Sequence, residues 1–160
     1  MSTPAYRIPF NRPTHTPRVD SYVVEALHSG HLSGDGAFTK RCQEILSGVL
    51  GDASVLLTTS GTHALELMAL LLDIGAGDEV IVPSFTFSST LNSFVLRGAT
   101  PVYVDVRPDT LNFDEARLEA LITPRNRADV VLPYAGGGAE RDRSLAIHAA
   151  HPLPRGEADT

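Results

Sequence analysis

The chain has 160 residues, 42% of them hydrophobic, and a formal charge of −6 at pH 7. That apolar content can close one domain, which sets disorder aside, while the acidic balance speaks against nucleic acid or an anionic membrane, both of which need clustered Lys and Arg. Glu66 and Asp73 interrupt the richest apolar run before it could span a bilayer, and residues 1–9 lack a signal-peptide core, so a cytoplasmic protein is expected.

In residues 18–27 the apolar positions Val19, Val23, Val24 and Leu27 recur at helical spacing, and Gly30 follows as a stop signal. Residues 29–39, rich in Gly and Ser, read as a loop with positive backbone angles at the glycines. A second helix is expected over 40–50, with Cys42 in it as a small packing residue rather than a nucleophile. Residues 54–57 are a brief β-type run, and 61–72 are apolar nearly all round, as in a buried helix ended by Gly75 and Gly77. A strand over 79–82, a helix over 87–96 and a strand over 100–106 rich in β-branched residues come next. Asn112 with Glu115 makes a capping-box pattern for a helix carrying Leu118, Leu121 and Ile122 on one face, and 130–132 would be a fourth strand. Parallel neighbours need crossover connections, so this alternation predicts an α/β fold, a mostly parallel sheet with helices on both faces. Beyond Tyr134 come Gly136-Gly137-Gly138, a helix-compatible run to Ala150, and Pro152 and Pro154, which exclude a central strand. Residues 1–134 are therefore expected to form the domain and 135–160 a divergent, poorly ordered tail.

In parallel sheets ligands bind beyond the carboxyl ends of strands, where helix N-termini point N–H groups at anions. Thr58-Thr59-Ser60-Gly61-Thr62 suits such a place: Gly61 lets a phosphate approach the backbone, and Ser60 and Thr62 add hydroxyls. An ordinary Ser N-cap reads the same way. The stretch is neither a Walker loop nor a G-x-G-x-x-G fingerprint, which disfavours an NTPase or a dinucleotide oxidoreductase. Phe85 and Phe87 follow the next strand; a flat cofactor ring could stack on one of them, or both could be core. His28 with His31, and His148 with His151, are spaced like partial metal sites, but neither pair has the third ligand that catalytic zinc needs, so no metal is expected.

Taken in order, Ser33-Gly34-Asp35-Gly36-Ala37-Phe38-Thr39, residues 57–66, Gly77-Asp78-Glu79-Val80-Ile81-Val82-Pro83-Ser84-Phe85-Thr86-Phe87, Leu96-Arg97-Gly98-Ala99 and Val104-Asp105-Val106-Arg107-Pro108-Asp109-Thr110 resemble the DegT-type sugar aminotransferases. The resemblance runs from about residue 8 to about residue 134. It implies the amino-terminal part of the large domain of a fold-type-I pyridoxal-phosphate-dependent transferase, a homodimer that moves an amino group from glutamate to a 4-keto-6-deoxy sugar nucleotide in cell-surface polysaccharide precursor synthesis. Carried over by position, Gly61 and Thr62 would hold the cofactor phosphate with Ser60 nearby, and Phe87 would stack on the pyridine ring. Gly34, Asp35, Gly36 and Phe38 would border the sugar-nucleotide pocket, and Asp105 takes a structural turn role.

The departures matter as much. Where the family reads Pro-Val-His-Tyr-Ala-Gly this chain has Pro133-Tyr134-Ala135-Gly136, and Ala158 stands where the family has the aspartate that pairs with the pyridine nitrogen. Asp159 is one residue late, which on a strand reverses the side-chain face. The family's Schiff-base lysine has no counterpart, and Lys40, the only lysine, follows the pocket loop and reads as a solvated surface residue. No catalytic residue is assigned. The expectation is a truncated chain, inactive alone and exposing an unpaired sheet edge. The alternatives are a non-catalytic dimerisation module or partner of a full-length paralogue, and a phosphate-binding α/β protein unrelated to transamination.

Overall fold

The fold is described from a computed structural model, for residues 12–134 and 153–157. The chain divides into two compact units, Met1–Leu57 and Thr58–Thr160, a boundary well before the one at residue 134 expected from sequence.

The first unit holds two helices, α1 (Pro17–His28) and α2 (Ala37–Val49). Pro17 opens α1 at a position where the missing N–H is no loss. Arg41 of α2 stacks 5.3 Å from the Tyr22 ring centroid and 5.0 Å from that of Phe38, and pairs with Glu25 at 3.6 Å. Neither helix has a buried residue, and Cys42 is exposed, so it is not the packing residue expected. Positive φ in the 29–39 loop falls on Gly30, at 71°, as expected, and on Asp35, at 58°, but not on Gly34 or Gly36; Asp tolerates that region because its short polar side chain bonds locally.

The second unit is a three-layer α/β arrangement. Its four strands are β1 (Glu79–Pro83), β2 (Thr100–Val104), β3 (Asn126–Val131) and β4 (Arg155–Glu157), all parallel in the order β2-β1-β3-β4. Three helices accompany them: α3 (Gly61–Leu71), α4 (Ser88–Val95) and α5 (Glu115–Leu121). Alternation along the strands sorts the core into two layers. Val80 and Val82 of β1 and Ala128 and Val130 of β3 pack with Leu65 and Ala69 of α3 and Phe94 of α4. On the opposite face Ile81 and Val131 pack with Leu118 of α5 and with Phe113. At about 25 cal/mol per Å² of apolar surface removed from water, this two-sided burial is the main force holding the unit together.

Four expectations need correction. No strand forms at 54–57: Val55 is half-buried, Leu56 and Leu57 are exposed, and no partner strand pairs with them among the described residues. The helix expected to be buried all round, α3, buries only Leu65 and Ala69 and leaves Leu70 and Leu71 exposed. Asn112 does not open a capping box; Asp114 is the N-cap of α5, its carboxylate accepting from Ala116 N–H at 3.0 Å, while buried Asn112 accepts from Tyr134 N–H at 2.8 Å. Within the segment expected to be a loose tail, Arg155–Glu157 form β4, beginning with the Pro154 carbonyl accepting from Asp129 N–H at 3.1 Å. The helix-compatible run to Ala150, and Ala158 and Asp159, lie outside the described residues. Among the described residues no helix is long and apolar enough to cross a membrane, and no three His, Cys, Asp or Glu side chains group as metal ligands.

Candidate functional site

The carboxyl ends of the strands define one edge of the sheet, and the connections decide what stands there. Helix α4 leaves β1 on one face and α5 leaves β2 on the other, the arrangement that opens a crevice at the carboxyl ends of adjacent strands. The C-terminal end of α3 lies at the amino edge of the sheet, where Arg127 reaches the Leu72 carbonyl at 3.3 Å, and α3 packs with α4 on one face, so its N-terminus is directed toward the carboxyl edge.

Ser60 is extended, with φ −162° and ψ 162°, and its hydroxyl accepts from His63 N–H at 3.2 Å. The Ser60 carbonyl accepts from Ala64 N–H at 3.1 Å and from the Thr58 hydroxyl at 2.9 Å. The Ala64 bond is the first intrahelical one, and of the four N–H groups before it that lack an internal partner, the Ser60 side chain occupies that of His63. Those of Gly61 and Thr62 meet no acceptor among the described residues. A Cβ at Gly61 would meet nothing within 4 Å, so the backbone at this residue is open to approach on that side. Two aligned N–H groups at the positive end of a helix, with the Ser60 and Thr62 hydroxyls beside them, match what a phosphate dianion requires. The N-cap and anion-site readings of Ser60 therefore coexist, because the cap takes the third amide and leaves the first two.

Phe87 is the N-cap residue of α4 and its ring is 69% exposed; Phe85 is 48% exposed. Neither is core, which leaves the Phe87 face available to a flat ring at the same sheet edge as the α3 amides. Phe85 is held by Tyr134 at the end of β3, with centroids 5.1 Å apart and planes tilted by 53°. Asp105, after β2, has the turn role expected of it: its carboxylate accepts from Val106 N–H at 2.9 Å and from the Ser84 hydroxyl at 3.3 Å, and its carbonyl from Asp114 N–H at 2.8 Å.

In the first unit, Gly36 and Phe38 line a cleft of about 220 Å³ together with Glu25, Ser29, His31 and Ser33. Gly34 is tied to the rim, its carbonyl 3.4 Å from His31 Nε2, whereas Asp35 does not line the cleft. Lys40 is exposed on α2.

Two side chains at the sheet edge were not singled out from sequence as site residues. Tyr134 was noted only as part of a family departure. His63 stands three residues after Ser60, and that spacing was the available signal, since it puts the histidine on the first turn of any helix that Ser60 caps.

The pattern of the DegT/DnrJ/EryC1/StrS aminotransferase family matches residues 13–155. A GDP-perosamine synthase from Caulobacter vibrioides is 38% identical over 141 residues, which cover 86% of this chain and 38% of the relative. Among solved structures, a 3-amino-5-hydroxybenzoic acid synthase superposes with a TM-score of 0.85 at 33% identity, over 91% of this chain and 38% of that one. A chain from Streptococcus pneumoniae assigned as a sugar aminotransferase, solved in its PMP form, superposes with a TM-score of 0.80 at 34% identity, over 89% of this chain and 36% of that one. The chain thus spans little more than a third of the length of the relatives it matches.

Proposed function

Because the chain belongs to the DegT/DnrJ/EryC1/StrS aminotransferase family, we propose that the N-terminus of α3 grips the phosphate of pyridoxal phosphate, with Phe87 against the cofactor ring. The observation that carries this reading is the pair of unengaged amides at Gly61 and Thr62, with the backbone open to approach at Gly61, flanked by two hydroxyls. Bound there, pyridoxal phosphate would supply the electron sink on which amino transfer depends. The chain's own contribution is positional. Amides and hydroxyls fix the phosphate end, Phe87 limits how the ring can tilt, and the strand ends at Ser84 and Asp105 form the floor of the crevice.

The protein to which these residues correspond would be a dimeric, cytoplasmic nucleotide-sugar aminotransferase, passing the amino group of glutamate to a 4-keto-6-deoxy sugar nucleotide for cell-surface polysaccharide. The likeness to a GDP-perosamine synthase supports a nucleotide sugar as acceptor, and the cleft at Gly36 and Phe38, with Gly34 at its rim and Asp35 beside it, is the proposed place for part of it. Within these 160 residues the only amine side chain is that of Lys40, solvated on α2 and in no position assigned to the cofactor. These residues by themselves would bind the cofactor and not turn over. A non-catalytic role, as a partner of a longer paralogue, is favoured by α1 and α2, which bury none of their apolar residues.

Titrating the protein with pyridoxal phosphate, read by absorbance and ring fluorescence, tests the site. Thr62→Val removes a hydroxyl bond to a charged group and should weaken binding about 10- to 100-fold, and Phe87→Ala should weaken it further. Saturable binding that ignores both changes would refute the assignment. Formation of pyridoxamine phosphate from pyridoxal phosphate and glutamate by this polypeptide would refute the inactivity.

A further inference from the structure

We propose that His63 is an additional ligand of the phosphate held at the N-terminus of α3, donating from Nε2 while Thr59 holds its Nδ1. The inference rests on the cofactor reading above and adds to it a residue outside the Ser60-Gly61-Thr62 grip.

His63 is the third residue of α3. Helical side chains lean toward the N-terminus of their helix, and here a tether reinforces the lean: the Thr59 hydroxyl lies 2.5 Å from His63 Nδ1. Thr59 precedes the cap, so the tether draws the imidazole back over the helix end rather than out along its flank. The tether occupies Nδ1 and leaves Nε2 as the ring nitrogen without a partner among the described residues. If the Thr59 hydroxyl donates to Nδ1, the proton of the neutral ring is on Nε2; if the ring is protonated, Nδ1–H donates to Thr59 and Nε2–H is still present. A dianion opposite Nε2 selects both of these states over the remaining tautomer, in which Nε2 would present a lone pair.

The neighbourhood makes this histidine matter. Residues 53–62 contain no charged side chain, α4 contains none, and Glu66 is the other ionisable residue of α3, one turn further along. These segments thus offer a phosphate neutral donors and a helix dipole, worth about half a charge, and His63 adds one more donor at the same helix end.

The test uses the whole 160-residue chain, with pyridoxal phosphate and inorganic phosphate as probes, pyridoxal as the phosphate-free control, and 31P shifts as a readout independent of turnover. His63→Ala should raise Kd for both phosphate probes about tenfold at pH 6 and leave pyridoxal unaffected. His63→Gln, which keeps a donor at the same helix position, should bind both phosphate probes more tightly than His63→Ala. Because the side chain is exposed, helicity by circular dichroism should be unchanged. If Thr62→Val weakens binding while both His63 variants match wild type at every pH, the histidine assignment is wrong and the cofactor site stands. If the wild type binds neither phosphate probe, the site and the histidine assignment fall together.

Discussion

Gly77 and Gly98 provide a matched pair for measuring how tightly the turns before β1 and β2 are packed. Their φ angles are 94° and 95°, so an alanine at either meets the same backbone penalty, about 1–2 kcal/mol. Their surroundings differ. A Cβ at Gly77 would meet nothing within 4 Å, whereas one at Gly98 would lie 3.2 Å from Ala76 Cα and 3.3 Å from Ala76 N and Cβ. Ala76 cannot easily retreat. Gly75 N–H donates to the Asp78 carboxylate at 2.9 Å, Asp78 N–H returns to the Gly75 carbonyl at 3.2 Å, and Arg97 Nε clamps the preceding Ile74 carbonyl at 2.9 Å. Overpacking against such a fixed backbone costs about 1–3 kcal/mol. Gly77→Ala should therefore lose about 1–2 kcal/mol and Gly98→Ala that amount plus the overpacking. Urea unfolding followed by far-ultraviolet circular dichroism, with a slope of about 1–3 kcal/mol per M, should separate the two midpoints by about 1 M. Coincident midpoints, or a Gly77→Ala protein less stable than Gly98→Ala, would show that the Ala76 turn yields and that the packing argument is mistaken.

The Glu79 carboxylate accepts from the Thr123 hydroxyl at 2.7 Å and from Arg125 Nε at 2.9 Å, and these bonds, Thr123 first and Arg125 second, hold its pKa below its usual 4.5. A depressed folded-state value means the stabilisation is complete above the unfolded value and fades as the pH falls through the folded one. The stability gap between wild type and Glu79→Gln should accordingly be constant above about pH 5.5 and narrow below about pH 4.5, and a gap that widens on acidification would contradict this. Asp114→Ala removes the cap of α5 and should lower stability by about 1 kcal/mol in a thermal melt, while Asp114→Asn should nearly restore it. Leu118→Ala empties a fully buried position between α5 and the sheet and should cost about 2–5 kcal/mol by urea unfolding.

What was legible in the sequence, and what was not, follows the range of the interactions concerned. The helices and the strands β1, β2 and β3 were visible because their apolar periodicity is local. The strand expected at 54–57 had the right residues and no neighbour, and a strand without a ladder is only an extended segment. Conversely β4 has an unpromising sequence, Arg155-Gly156-Glu157 after a proline, and exists through its pairing with Asp129, Val130 and Val131. The capping box at Asn112 failed for the same reason. A residue suited to cap a helix is equally suited to accept Tyr134 N–H from 22 positions away, and burial rewards the second use.

The same distinction separates the two halves of the proposed chemistry. Gripping a phosphate needs only a cap, a glycine and a hydroxyl in sequence, and the fold contributes by leaving the first two amides of α3 unengaged. The stacking ring needs one more element, the turn from β1 into α4, whose strand supplies Phe87 at its exit. An amine set against the cofactor needs long-range placement, and Lys40, exposed on a helix of the first unit, has none in evidence. The proposed binding without turnover would thus follow from which interactions are local. It is also why His63 matters to the grip, for with no cationic side chain in residues 53–62 a donor on the first turn of α3 is a further local contact that the fold can offer a phosphate.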